Sequence, residues 1–113
     1  MKALLLLGAL ALAACAPRAA AIVRPAAGGT VSFEWTGPAD AVFLSGTMTG
    51  WAPVALPRKD GRFATALAVP PGRHEYRLEV SVGSTRTVVL PRDAERVDDG
   101  FGGENAVLRV GER

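Results

Sequence analysis

The sequence predicts an all-β domain, a β-sandwich of roughly six to eight short strands that follows a cleaved signal peptide. Three observations carry this prediction. Apolar and polar residues alternate with period two in many short runs, which is typical of half-buried strands. Gly and Pro residues separate these runs at near-regular spacing, as in sandwiches. Helical periodicity is absent from the chain after its apolar N-terminal run.

The first fifteen residues predict an export signal. Lys2 supplies one positive charge, and an uncharged run of Ala, Leu and Gly follows it at positions 3–14. This run is too short to remain as a membrane-spanning helix, which needs about 20 apolar residues. It ends in Leu-Ala-Ala-Cys at positions 12–15, which resembles the bacterial lipobox. The resemblance implies removal of residues 1–14 and acylation of Cys15, for example with palmitate. An ordinary secretory signal cleaved after Ala21 is the alternative.

An acylated Cys15 implies export and lipid anchoring to the bacterial cell envelope, since two or three acyl chains anchor a protein stably. Ala16 follows the cysteine where an Asp would indicate retention at the inner membrane, so the outer membrane is slightly favoured. Cys15 is also the only cysteine of the chain. No disulfide can therefore form within the chain, and the domain must be stable through its apolar core.

Charge and composition limit the remaining classes. Without Lys2 the chain has 12 basic and 11 acidic side chains, so no basic excess favours nucleic-acid binding. Residues 15–29 are rich in Ala, Pro and Gly and are interpreted as the lipidated cysteine and a flexible tether. Residues 30–113 are long enough for one folded core and not for two.

The strands are predicted from alternation and from the turns between them. They lie at residues 31–35, 41–45, 54–58 (a short edge strand), 62–69, 73–82, 85–90 and 106–110. Lys-Asp-Gly at 59–61 is a hairpin signal, and residues 91–103 are predicted to be irregular. In the clearest strand, 73–82, Tyr76 and Leu78 share one face and are predicted to point inward. Arg77 is therefore predicted to point outward.

Several motifs resemble one known family in their order and spacing. They are Phe-Glu-Trp at 33–35, Val-Phe-Leu-Ser-Gly at 42–46, Thr-Met-Thr-Gly-Trp at 47–51, Pro-Pro-Gly-Arg-His-Glu-Tyr-Arg-Leu at 70–78 and Asp-Asp-Gly-Phe-Gly-Gly-Glu-Asn at 98–105. This pattern resembles the glycogen-binding domain of the AMP-activated protein kinase β subunit and the family-48 carbohydrate-binding modules. The resemblance covers residues 31–110. It implies an immunoglobulin-like (early-set) β-sandwich and an α-glucan partner, glycogen or starch-like.

The resemblance also implies a carbohydrate-binding site. Trp51 takes the position of a tryptophan that stacks on glucose, and Arg77 takes that of a lysine that binds hydroxyls. Asn105 matches a hydroxyl-binding asparagine, and Phe101 lies where an apolar loop residue inserts into the curved glucan. Such side chains suit sugars, because aromatic rings cover C–H faces and planar polar groups bind hydroxyls. The family's second tryptophan is missing, since residues 81–93 contain no aromatic residue.

Each candidate also has a structural interpretation. Trp51 could seal its loop against the sandwich edge, Arg77 could pair with a neighbouring acid, and Asn105 could bond to its own loop backbone. Trp35 and His74 are interpreted as structural residues, the first in the core and the second partly buried.

No catalytic site, metal site or cofactor is predicted. His74 is the only histidine, and Asp98 and Asp99 are adjacent on a glycine-rich loop, unlike carboxylates that converge across a cleft. Two functions of different kinds remain. The first is a membrane-anchored lipoprotein that binds α-glucan weakly without catalysis. The second is a cell-envelope protein-interaction or scaffolding module that has lost sugar binding.

Overall fold

The computed structural model describes residues 19–111, which form two antiparallel sheets packed face to face. The predicted fold class, an all-β sandwich, is confirmed. The predicted signal peptide, Cys15 and the residues up to position 18 lie outside the described part of the chain. Within residues 19–111, no helix has the length and apolar character needed to cross a membrane.

The described residues contain ten strands. In chain order they are β1 (Ala21–Pro25), β2 (Thr30–Trp35), β3 (Ala41–Gly46), β4 (Val54–Ala55), β5 (Arg58–Lys59), β6 (Arg62–Ala68), β7 (Gly72–Val82), β8 (Thr85–Val89), β9 (Glu95–Asp98) and β10 (Glu104–Val110). The first sheet has the order β1-β2-β6-β5. The second has the order β4-β3-β7-β10-β9, and β8 also pairs with β7.

The core lies between the two sheets. Side chains alternate between the two faces of each strand, and the apolar ones point into this space. Val31 and Phe33 of the first sheet are fully buried, as are Leu44 and Leu78 of the second. The ring of Phe33 packs edge-to-face against Tyr76, with centroids 5.7 Å apart and planes at 74°. Aromatic pairs favour this arrangement, because the positive edge of one ring meets the negative face of the other. The contact joins β2 to β7 across the core.

The predicted tether at residues 15–29 is wrong in its second half, because Ala21–Pro25 forms β1. This strand pairs antiparallel with β2 over its whole length and buries Ala21 against the core. Its local signal consists of only two β-branched residues, Ile22 and Val23, among Ala and Pro. Pairing with β2 therefore determines the strand, and Pro25 is tolerated because it ends a strand at the sheet edge.

Two other segments differ from the prediction. The single edge strand at 54–58 is in fact two short strands, β4 and β5, which belong to different sheets. The chain crosses from one sheet to the other at Leu56, which is buried beneath the crossing. Residues 91–103, predicted to be irregular, contain β9. Most of its side chains are exposed, so no apolar alternation marked it, and pairing with β10 forms it.

β7 organises the face that carries the predicted site. One side of β7 pairs with β3. Its other side pairs with β10 around Tyr76 and with β8 from Leu78 onward, so β8 and β10 lie end to end beside it. The side chains of Glu75, Arg77 and Glu79 alternate with the buried ones and lie on the outer face of this sheet.

Candidate functional site

The loop after β3 presents Trp51. β3 ends at Gly46, where the chain passes so close to β7 that a Cβ atom would lie 2.6 Å from the backbone oxygen of Glu75. A 3-10 turn at Thr47–Thr49 follows, and the Thr49 hydroxyl accepts a hydrogen bond from the Gly46 N–H at 3.1 Å. The N–H of Trp51 donates to the Gly46 oxygen at 2.8 Å, which closes the loop.

Trp51 has a left-handed backbone conformation, with φ at 65°, directly after Gly50 at φ 64°. Bulky residues rarely adopt this conformation, and holding one there costs on the order of 1–3 kcal/mol. The indole remains 40% exposed, so deep burial of the ring does not offset this cost. Strain of this kind is retained where surrounding structure fixes a side chain for a function.

Arg77 projects from the outer face of β7, as the alternation predicted. Its Cζ atom lies 5.6 Å from the centroid of the Trp51 ring, within the range of a cation–π contact. Its Nε donates to Glu79 Oε2 at 3.3 Å, so the predicted pairing with a neighbouring acid is also present. Arg77 therefore both packs on Trp51 and pairs with Glu79.

Asn105 lies on β10, beside β7, and is only 5% exposed. Its Nδ2 donates to Glu75 Oε1 at 3.4 Å, and the other carboxylate oxygen of Glu75 accepts from Arg73 at 2.9 Å. Among the described residues, the buried Oδ1 of Asn105 has no hydrogen-bond partner. A buried polar atom without a partner is unfavourable for the stability of the fold.

Asp99 holds the loop that carries Phe101. Its Oδ1 accepts hydrogen bonds from the N–H groups of Phe101 at 2.7 Å and Gly103 at 3.0 Å. These bonds stabilise the carboxylate and lower the pKa of Asp99 below its usual value, and the charge of Arg77 contributes in the same direction. The loop leaves the side chain of Phe101 94% exposed.

These side chains converge on one cleft of about 380 Å³ on the outer face of the second sheet, which we call the primary cleft. It is lined by Trp51, Glu75, Arg77, Asp99, Phe101 and Asn105. The structure therefore brings together all four residues predicted for carbohydrate binding. The other two lining residues, Glu75 and Asp99, were not predicted from the sequence. Alternation along β7 could have found Glu75, which shares the outer face with Arg77, whereas Asp99 gave no such signal.

The stretch at residues 81–93, which lacks the family's second tryptophan, forms β8 and the segments that flank it. Arg86 on β8 lies over the ring of Phe43 on β3, with Cζ 5.0 Å from its centroid. Arg86 also pairs with Glu79 at 3.3 Å, as Arg77 does. The outer face beside the primary cleft therefore carries a network of two arginines around one carboxylate.

Trp35 and His74 have the structural contacts that were predicted. Trp35 packs partly buried against the core, and its Nε1 donates to the Pro38 oxygen at 3.3 Å. His74 Nε2 lies 2.9 Å from the Pro70 oxygen, so it carries the proton, and a neutral ring then accepts from the Thr47 hydroxyl at 3.0 Å through Nδ1.

The primary cleft combines an aromatic ring, an exposed phenyl group, a guanidinium and an amide. These groups suit a neutral ligand with many hydroxyls. Within residues 19–111, no group of three or more His, Cys, Asp or Glu side chains is placed to hold a metal ion.

Such a cleft on the outer face of an antiparallel sandwich is an arrangement found in carbohydrate-binding modules, a class that is generally non-catalytic. More specifically, the chain belongs to the family described as the glycogen recognition site of AMP-activated protein kinase, whose family model matches residues 30–113. The family resemblance inferred from the sequence motifs is thereby confirmed.

Similarity to individual proteins is confined to part of the chain. Over 56 residues, the chain is 36% identical to 5'-AMP-activated protein kinase subunit beta-1 of Rattus norvegicus and of Homo sapiens. Over 48 residues, it is 38% identical to the same subunit of Sus scrofa. These alignments cover 50% and 42% of this chain, and 21% and 39% of the relatives. The chain thus spans well under half the length of these relatives.

Proposed function

We propose that this module binds α-glucan chains, glycogen or starch-like, weakly and without catalysis. The observation that carries the proposal is the convergence of Trp51, Arg77, Phe101 and Asn105 on the primary cleft. Family membership over residues 30–113 supports the same class of ligand.

The exposure of the two aromatic residues fits this ligand. The Trp51 ring is held in a strained loop and remains 40% exposed, so it offers a flat surface to the C–H face of a glucose unit. Phe101 is 94% exposed, and covering it with the apolar inner surface of a curved glucan would remove it from water. One stacking indole in place of two lowers the expected affinity roughly fivefold to tenfold, since such a contact contributes about 1–1.4 kcal/mol.

Affinity electrophoresis in gels containing glycogen or soluble starch tests the proposal. We expect retarded migration of the wild-type chain and loss of retardation for Trp51→Ala. Val82→Ala is the matched control, because Val82 is another exposed apolar residue at 51% exposure and lies outside the primary cleft. Wild-type migration that glycogen does not retard, or equal retardation of all three proteins, would contradict the proposal.

The proposal includes a lipid anchor at Cys15, supported by the lipobox-like motif at residues 12–15. Expressed with its signal in a bacterium, the wild-type chain should fractionate with membranes and carry acyl groups detectable in its intact mass. Cys15→Ser should abolish both, because the acyl acceptor is lost. Ala16→Asp is the informative second variant, since it should shift the protein toward the inner membrane. Membrane association that survives Cys15→Ser without acylation would contradict the anchor.

A second candidate function is a protein-interaction or scaffolding module of the cell envelope. The absence of an aromatic residue at 81–93 favours it, as does the pairing of Arg77 and Arg86 with Glu79, which satisfies polar groups of the outer face internally. Co-purification from detergent-solubilised envelope, with Phe101→Ser as comparison, tests this candidate. A stable protein partner that depends on Phe101, together with no glycogen retardation, would favour it over sugar binding.

A further inference from the structure

A second and larger cleft, the distal cleft, lies beside the end of β8 and has a volume of about 780 Å³. Its apolar wall includes Trp35, Val88 and Leu90, and the start of the described chain at Ala19 borders it. This volume falls within the range of ligand-binding clefts in proteins. Trp35 was predicted from the sequence to lie in the core, and this cleft was not predicted.

The polar groups of the distal cleft carry balanced charge. Arg92, Asp93, Arg96 and Glu104 lie at its border, two cations and two anions. Arg96 is held in place, since its Nη2 donates to the Pro91 oxygen at 3.2 Å and its Nη1 lies 3.6 Å from Glu104 Oε1. A balanced set of planar charged groups beside an indole favours a neutral ligand rich in hydroxyls over an anion or a cation.

A third cleft, the connecting cleft of about 380 Å³, joins the other two. It shares Arg77, Asp99 and Phe101 with the primary cleft. It shares Val88 and Glu104 with the distal cleft. The three clefts therefore follow one another from the outer face of the second sheet to the edge of the sandwich, where residues of both sheets, including Trp35 of β2, line the distal cleft.

The ring of Trp35 has a fixed orientation at its end of this path. Its Nε1 donates to the Pro38 oxygen at 3.3 Å, and a Cβ atom at Gly37 would lie 2.6 Å from the ring. Any side chain at position 37 would therefore collide with the Trp35 ring in the orientation in which this ring borders the distal cleft. A preoriented ring loses little freedom on binding, which favours its use as a contact surface.

We propose that the three clefts form one continuous groove for a single α-glucan chain, with Trp35 and the distal cleft supplying the second contact surface. This inference rests on the proposed function and specifies its ligand: long linear α-glucan segments rather than short oligosaccharides. The distal cleft replaces the aromatic contact that residues 81–93 lack.

Affinity as a function of ligand length tests the groove. Calorimetry of the full chain with maltotriose, maltoheptaose and a longer linear amylose fragment should show affinity that rises by roughly tenfold once the ligand reaches the distal cleft. Val88→Glu places a charge where the connecting and distal clefts meet, so it should remove this gain with ligand length. Val82→Glu is the matched control, because Val82 and Val88 are 51% and 47% exposed and Val82 lines none of the three clefts.

Fluorescence gives a second readout that reports on the distal cleft alone. In Trp51→Phe, Trp35 is the only tryptophan left, and the phenyl ring preserves part of the stacking surface. The emission of Trp35 should shift with the long fragment and stay constant with maltotriose. Adding Val88→Glu should abolish the shift.

The outcomes separate the two proposals. One result would overturn the groove without contradicting the proposed function. In that result, binding depends on Trp51, affinity does not increase with ligand length, and the emission of Trp35 does not change. An equal response of Trp35 to maltotriose and to the long fragment would mean two separate sites and would also overturn it. Absence of binding at every length would overturn both proposals.

Discussion

The guanidinium of Arg77 lies over the indole of Trp51, with Cζ 5.6 Å from the ring centroid, while its Nε bonds to Glu79 Oε2 at 3.3 Å. One arginine thus joins the loop after β3 to the outer face of β7. The contact packs the guanidinium against a ring whose backbone is held at φ 65°. Arg77 therefore contributes to the position of the ring as well as to the charge of the cleft.

This relationship predicts a measurable coupling between the two side chains. A double-mutant cycle of Trp51→Ala and Arg77→Met should give a coupling free energy of about 0.5–1 kcal/mol, as expected for a partly exposed cation–π contact. Urea unfolding of the four proteins measures it. Arg77→Lys should keep part of the coupling, because it keeps the charge but loses the planar group. Additive single effects would contradict the contact.

The alternation of residues along β7 was enough to predict much of the site. Period two correctly placed Tyr76 in the core and Arg77 on the outer face, and the family resemblance implied that Trp51 and Asn105 share one site. The left-handed conformation of Trp51 was not predictable, because it depends on the bond from its N–H to the Gly46 oxygen.

What the sequence did not predict depends on contacts between distant segments. β1 and β9 are short and lack strong alternation, so their partners β2 and β10 determine them. Asp99 closes its loop through hydrogen bonds to two backbone N–H groups. Two adjacent aspartates in the sequence do not predict these bonds. The distal cleft joins residues from β8, β9 and the start of the described chain, and no local motif marks such a combination.

The loop bearing Phe101 should lose order when Asp99 is neutralised. Asp99→Asn weakens the hydrogen bonds to the Phe101 and Gly103 N–H groups, so their amide NMR signals should shift and sugar affinity should fall. Asp98→Asn is the matched control, since Asp98 Oδ1 accepts only from the Gly100 N–H among these loop amides, at 2.7 Å. Equal effects of the two substitutions would contradict the special role of Asp99.

The same bonds determine a pH dependence. The pKa of Asp99 is lowered in the folded protein, so its contribution to loop order is fully present above the ordinary carboxyl pKa of about 4. It is lost as pH falls through the lower folded value. The amide signals of Phe101 and Gly103 should therefore stay constant from neutral pH to about pH 5 and move only at more acidic pH. Movement near pH 6 would contradict this assignment.

Asn105 should not tolerate a negative charge. Asn105→Asp places a buried carboxylate beside Glu75, which now accepts from the Asn105 amide at 3.4 Å, and should destabilise the fold by about 1–3 kcal/mol at neutral pH. Burial and repulsion would raise the pKa of the new carboxyl, so the destabilisation should shrink as pH falls and protonates it. Urea unfolding at neutral pH and near pH 4 measures this.

The partner of this contact provides the control. Combining Asn105→Asp with Glu75→Gln removes the neighbouring charge and should restore part of the lost stability, because the glutamine amide can donate to the new carboxyl group. Glu75→Gln alone should have a smaller effect, since Glu75 is only partly buried. Full stability of Asn105→Asp at neutral pH would contradict the predicted cost of a buried charge at position 105, where the native side chain is only 5% exposed.

The only tyrosine of the chain should remain neutral in the folded protein at alkaline pH. Burial raises the pKa of Tyr76, the charge of Asp93 adds to the increase, and Arg96 opposes it. The unfolded chain ionises its tyrosine near pH 10, so the folded state loses about 1.4 kcal/mol of stability for each pH unit above that value. Phenolate absorbance should therefore appear only together with cooperative unfolding.

Tyr76→Phe, compared with the wild type over the same range, should remove this part of the alkaline destabilisation while keeping the edge-to-face contact with Phe33. A phenolate signal near pH 10 in a protein that keeps its β-sheet circular dichroism would contradict the raised pKa of Tyr76.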